Sequence, residues 1–279
     1  MRRKGPYVMH AHRRRRLTAA ASATVATLAA SALLAGCASS MGARPSRMAE
    51  QGPVSRVVND RSGHAGRAGR SAPEPPVQTP APARLPGLGP KTLARIPADA
   101  RQAVLVTGAG HDASTSSVTL YRDDPVTGWT AAGPAWPAHN ALRGWSADHH
   151  TGDLRSPIGV FTLTDAGGRL SDPGTKLTYD HAPIGFTADG TGFHGESLAG
   201  AFDYVIAINY NRKPGMSPRD WTRPMGESRG GGIWLHVDHG GPTQGCVSLP
   251  QSVMKTLLRT LSPDRHPIVV MGDADALAR

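Results

Sequence analysis

The sequence predicts a mainly β domain, a sandwich or barrel with one or two short helices, preceded by a signal peptide and a disordered tether. Three observations predict it. Short β-branched runs bounded by Gly, Pro and Asp recur from about residue 101 onward, the pattern of an all-β sandwich or barrel. Of the 14 Phe, Trp and Tyr residues, 13 lie between Tyr121 and Trp234. Aromatic side chains supply much of a core's buried area, so the packed domain is in the C-terminal two thirds. The charge divides the same way. Residues 1–84 carry 14 Lys and Arg against 3 Asp and Glu, whereas residues 85–279 carry 17 against 18. The formal net charge of +10 therefore belongs to the N-terminal third. A folded nucleic-acid binder needs a basic face on the domain itself, so no nucleic-acid partner is expected.

Residues 1–36 read as a lipoprotein signal peptide. Arg2, Arg3, Lys4 and the run Arg13–Arg16 form a basic opening without an acid, and Leu17–Ala35 is apolar or small. The stretch ends Leu34-Ala35-Gly36-Cys37. Basic segment, apolar segment and small-residue cleavage site together mark a secretory signal. The ending resembles a bacterial lipobox, which makes Cys37 the lipidation site and the membrane a partner through a lipid anchor. An uncleaved transmembrane anchor is the alternative, since the apolar stretch nearly spans a bilayer. Arg15-Arg16-Leu17 leaves twin-arginine and general secretory export both open. Residues 37–90 read as a disordered Gly/Pro/Arg-rich tether: 16 Gly or Pro fall between positions 41 and 90, beyond the composition at which chains fold.

Residues 91–279 read as the folded domain. Strands are predicted over 103–107, 117–122, 158–163, 203–209, 233–237 and 267–271. A helix is predicted from Pro250 at its first turn, with Val253, Leu257, Leu258 and Leu261 on one face and Ser262-Pro263 as its stop. A weaker helical signal spans 92–96.

The chemistry concentrates in Ile233 to Pro250. A strand delivers His236, and a turn rich in Gly and Pro is expected to reverse the chain and bring Cys246 back toward it. Cys37 and Cys246 are the two cysteines of the chain, which excludes a disulfide scaffold and an all-cysteine zinc site. An exported thiol oxidises readily, a liability unless it acts. With Cys37 lipidated, Cys246 is the candidate nucleophile and His236 its candidate base. The backbone N–H groups of Gln244, Gly245 and Cys246 are placed to form an oxyanion hole. An inert cysteine beside a structural histidine is the bland alternative on spacing alone.

These residues carry a family resemblance. His236 followed by Thr243-Gln244-Gly245-Cys246-Val247 resembles the His…Ser/Thr-x-Gly-Cys signature of the L,D-transpeptidase (YkuD-type) catalytic domain. Ser156-Pro157-Ile158-Gly159-Val160-Phe161 resembles an upstream strand motif of that family, and Asp203 to Asn211 its central Tyr/Asn-bearing strand. The similarity covers about residues 100–272, with the motifs in the family's order. It implies an L,D-transpeptidase-like β fold and an acyltransferase that builds peptidoglycan and so bears on cell-wall organisation and shape. Cys246 would cleave a stem tetrapeptide between its third and fourth residues and form a thioester. A neighbouring stem would then yield a 3→3 crosslink, or water an L,D-carboxypeptidase product. Thr243, Gln244 and Gly245 would position the oxyanion and substrate, and the Val237 carbonyl would orient His236. No cofactor and no metal are implied. Peptidoglycan stems are the expected partners, carbapenems possible inhibitors, and the location extracytoplasmic, facing the wall.

Two positions depart from the family pattern. Gln244 stands where many members carry His, and Ser248 where many carry Arg or Asn. They motivate the alternative of a non-catalytic wall-binding lipoprotein. A zinc site built on His236, Asp238 and His239, with His194 or His149 and His150, is a further alternative. It leaves Cys246 without a role. Asp238 is expected as a solvent-facing turn acid, and His194 as an ordinary loop histidine.

Overall fold

The computed structural model describes residue 81 and residues 83–279. The leader, Cys37 and most of the tether lie outside the described residues. In chain order the elements are α1 (Pro90–Leu93), β1 (Gln102–Gly108), β2 (Thr115–Asp124), β3 (Gly128–Ala131), β4 (Trp136–His139), β5 (Trp145–Ser146) and β6 (Ser156–Pro157). They continue with β7 (Gly159–Gly168), β8 (Thr178–His181), β9 (Val205–Ile208), β10 (Trp234–Val237), β11 (Val247–Leu249), α2 (Gln251–Thr260), β12 (Pro267–Asp273) and α3 (Ala274–Leu277).

Eight strands close on themselves in the order β1-β12-β7-β9-β10-β11-β4-β2, with β2 pairing back onto β1. Closure removes the edges that an open sheet would expose. β3 extends β2 and β8 extends β7, while β5 and β6 form a separate small pair. Within the closed ring of eight, six pairings are antiparallel, and β1–β12 and β10–β11 are parallel. The fold is mainly β with few short helices, as the strand runs predict.

The interior is filled by Val104 and Val106 of β1, Val118 and Leu120 of β2, Ile206 and Ile208 of β9, Leu235 of β10, Val247 and Leu249 of β11, and Val269 and Met271 of β12. α2 contributes Val253, Met254, Leu257 and Leu258 to the same core. Pro250 caps α2 one residue before its first turn, where its missing N–H costs nothing. β1 and β12 are buried on both faces. Ala103, Leu105, Ile268 and Val270 point outward into a second cluster with Leu85, Ala100 and Leu277, which explains why both strands read as continuous apolar runs.

The packed domain begins earlier than composition suggests. Ala83 pairs with Gly128, and Leu85, at 2% exposure, fills the second cluster. Residues 83–90 have a tether's composition, but a strand edge and an apolar face are available to them, and tertiary packing outweighs local bias.

Candidate active site

The site is set by two adjacent strands. β10 and β11 pair in register Leu235↔Val247 and His236↔Ser248. Leu235 and Val247 point into the core, so strand alternation sends Trp234, His236, Cys246 and Ser248 to the opposite face. Cys246 lies level with Trp234, and His236 is its diagonal neighbour on that face. The pairing is parallel, which corrects the expected reversal. Residues 238–246 do not turn a hairpin; they carry the chain back along β10 before β11 runs in the same direction. Two parallel strands require such a return connection.

The thiol sits between backbone groups. The N–H of Trp234 donates to Cys246 Sγ at 3.4 Å, and the thiol faces the Gly232 carbonyl at 3.6 Å. Burial pushes the Cys246 thiol up to about 11, outweighing the Trp234 N–H that favours thiolate.

His236 is 3% exposed. Its Nδ1 lies 2.9 Å from the Val237 carbonyl. A carbonyl only accepts, so Nδ1 carries the proton and Nε2 holds the lone pair. Burial pushes the ring down to about 4, against the pull of the Val237 and Ala201 carbonyls. At neutral pH the resting pair is thiol and neutral imidazole. Phe202 packs edge-on against His236 at 5.4 Å, and His239 stacks on it at 5.7 Å between centroids.

The loop between the two strands is pinned at both ends. Ser248 Oγ donates to Asp238 Oδ1 at 2.7 Å, and His139 of β4 donates Nδ1–H to the same oxygen at 2.8 Å. Burial works against the Asp238 carboxylate, but these two bonds prevail and hold it below the usual carboxylate range. Asp238 is therefore a half-buried network acid and not a solvent-facing turn residue. Toward the other end, Thr243 Oγ1 donates to the Cys246 carbonyl at 2.6 Å, and Ser156 Oγ approaches the same carbonyl at 3.3 Å.

Thr243, Gln244 and Gly245 separate in role. Thr243 is buried and spends its hydroxyl on the loop itself. Gln244 is exposed. Gly245 is buried without a positive φ. Its constraint is space: a Cβ there would meet Ile233 Cδ1 at 3.0 Å and His149 Cε1 at 3.8 Å. Among the described residues, no backbone acceptor is paired with the N–H groups of Gln244, Gly245 or Cys246.

The residues of the zinc alternative do not converge. His194 is an exposed loop residue whose N–H donates to Glu196 at 2.8 Å, and His150 is exposed against Asp148. His149 is buried, with Nδ1 3.0 Å from Asp153 and its ring edge-on to Tyr210 at 5.3 Å. Among the described residues, no group of three or more His, Cys, Asp and Glu is placed to hold a metal.

Sequence reasoning missed Glu196. Its carboxylate lies 3.2 Å from His239 Nδ1 and rests on Gly241, where a Cβ would meet the carboxyl carbon at 2.6 Å. Glu196 thereby lies beside the ring that stacks on His236. The signal available was Gly240-Gly241 beside His239, but nothing local ties it to an acid more than 40 positions away. Arg223 was also missed; it lies along Gly231 on the approach to β10.

No family model matches the chain, and no curated protein matches it. Among solved structures, the chain is similar to the helical cell shape determining protein Pgp2 from Campylobacter jejuni. Sequence identity is 16%, over 62% of this chain and 48% of that one, with a TM-score of 0.34. The chain thus spans about half the length of that structure.

Proposed function

We propose that this protein is a cysteine acyltransferase acting on peptidoglycan stem peptides, an L,D-transpeptidase. The observation that carries the proposal is the register of β10 and β11, which puts Cys246 and His236 on one face as diagonal neighbours. His236 is neutral and its Nδ1 is committed to Val237, so Nε2 is the free base.

In this reading Cys246 Sγ attacks the carbonyl between the third and fourth stem residues while its proton passes to His236 Nε2. The elevated thiol pKa means that the proton moves as the bond forms and not before. The free N–H groups of Gln244, Gly245 and Cys246 hold the oxyanion. The C–N bond then breaks, His236 returns the proton to the departing D-alanine amine, and the acyl group remains on sulfur as a thioester. The amine of a second stem displaces the sulfur and closes a 3→3 crosslink; water in its place gives a tripeptide. The resemblance to a lipobox at Cys37, outside the described residues, supports placing this chemistry outside the membrane on a lipid anchor.

Incubation with disaccharide-tetrapeptide, followed by separation of the products, tests the reading. D-Alanine release together with a 3→3 dimer is expected, both lost in Cys246→Ala. Release without a dimer identifies an L,D-carboxypeptidase. Retention of wall binding without turnover identifies a binding protein.

A further inference from the structure

The approach to β10 is three successive glycines, Gly230, Gly231 and Gly232, with φ of 65°, 143° and 68°. Side chains are strained at such angles, so the run is glycine by conformational need. The run is also covered. A Cβ on Gly231 would meet Arg223 Cζ at 2.8 Å, and one on Gly232 would meet Arg223 Nη2 at 3.5 Å and the Trp221 ring at 3.8 Å. The Gly232 carbonyl is the group that faces Cys246 Sγ. The Arg223 guanidinium therefore lies over Gly231 and Gly232, and Gly232 is the residue whose carbonyl faces the thiol.

The neighbouring arginines are spent. Arg212 pairs with Asp165, Arg219 with Asp180 and Arg229 with Asp148. Arg223 has no such pair among the described residues. It bonds only to the carbonyls of Asp220 and Thr222, both through Nη1. Nε and Nη2 keep unspent donors. Its guanidinium carbon lies 4.8 Å from the Trp221 ring centroid. Trp221 is 71% exposed, so an indole is held in solvent under a cation. A planar guanidinium kept flat by an aromatic ring is preorganised for bidentate binding of a carboxylate.

We propose that Arg223, backed by Trp221, is an anion subsite that reads a free carboxylate on the acyl donor beside its scissile carbonyl. The donor assignment rests on the transpeptidase reading; the anion subsite does not. On a stem tetrapeptide the carboxylate has two sources, the side chain of a diamino diacid at position three or the C-terminus of residue four.

Two arms test this. In the first, Cys246 is alkylated with iodoacetate and with iodoacetamide, which differ in one carboxylate. The ratio of the two rates is expected to fall about tenfold from wild type to Arg223→Gln, the worth of one charge-assisted hydrogen bond. Arg223→Lys should restore part of it. A ratio unmoved by Arg223→Gln overturns the subsite, and this arm needs no stem peptide. In the second, thioester formation is followed with three tetrapeptides: free, amidated on the position-three side chain, and amidated at the C-terminus. Slower acylation by one amidated donor, with that difference erased in Arg223→Gln, identifies the carboxylate. Donors accepted equally well by wild type overturn the donor assignment. If no donor acylates Cys246 while the alkylation ratio still depends on Arg223, the transpeptidase reading fails and the anion subsite stands.

Discussion

Ser248 Oγ reaches back across the start of the loop to Asp238 Oδ1 at 2.7 Å. The strand that follows Cys246 is thereby fastened to the residue two places after His236. His139 of β4 completes the junction. Ser248 is fully buried, and its hydroxyl fixes the loop.

Removing that hydroxyl leaves a half-buried carboxylate short of a partner. Ser248→Ala is expected to cost about 1–3 kcal/mol, read by urea denaturation of the wild type and variant. Ser248→Thr retains the oxygen but adds a methyl group in a fully packed site, so it should recover only part of the loss.

Acid stability should carry the signature of His236. Burial holds its folded-state pKa at about 4 against an ordinary 6.5. The unfolded chain therefore binds the proton first, and the ring's contribution is complete above about pH 6.5. It is lost as the pH falls toward 4, to an extent of about 3 kcal/mol. His236→Gln should flatten that limb of the stability profile in denaturant titrations run at successive pH values.

Thiol reactivity should be slow at neutral pH. With the Cys246 thiol pushed up to about 11, the rate of iodoacetamide alkylation should climb through pH 9 and 10 without a plateau near 7. A free thiol already plateaus above about pH 9. Mass-resolved kinetics of Cys246 alkylation give this profile directly.

The His239 ring that stacks on His236 lies against the Glu196 carboxylate. Gly241→Ala brings a Cβ to 2.6 Å from the Glu196 carboxyl carbon, so the carboxylate must leave His239. The Glu196 carboxyl end is flexible and can swing away, so the loss of stability should be small, about 1 kcal/mol or less. The imidazole NMR signals of His236 and His239 should both shift, since the rings stack.

The long, β-branched strands were legible because burial on one or both faces writes itself into period and composition. Ala103–Thr107 and Pro267–Met271 read as strands, and both are. β3, β4 and β8 were not legible. Each is four residues long, with no β-branched apolar run, as in Thr178-Tyr179-Asp180-His181, and each pairs with a longer strand, β2 or β7. α2 announced itself through Val253, Leu257 and Leu258 on one face. Cys246 and His236 were legible as residue types at a spacing, but the parallel register that places them was not. A Gly/Pro-rich segment signals that the chain turns without saying whether it turns back beside itself or returns to the start of the strand. Asp238 looked like a turn acid because its partners, Ser248 and His139, come from two other strands. The same non-locality hid Glu196 and Arg223.

The central claim is that Cys246 accepts an acyl group from a stem peptide. Intact-protein mass spectrometry after incubation with disaccharide-tetrapeptide tests it most directly. The account predicts an adduct with the mass of the disaccharide-tripeptide acyl group, mapped to Cys246, sensitive to hydroxylamine and absent in Cys246→Ala. Formation should slow by about 100-fold or more in His236→Ala. D-Alanine release that persists in Cys246→Ala, or a protein that binds the muropeptide and gains no mass at Cys246, would contradict it.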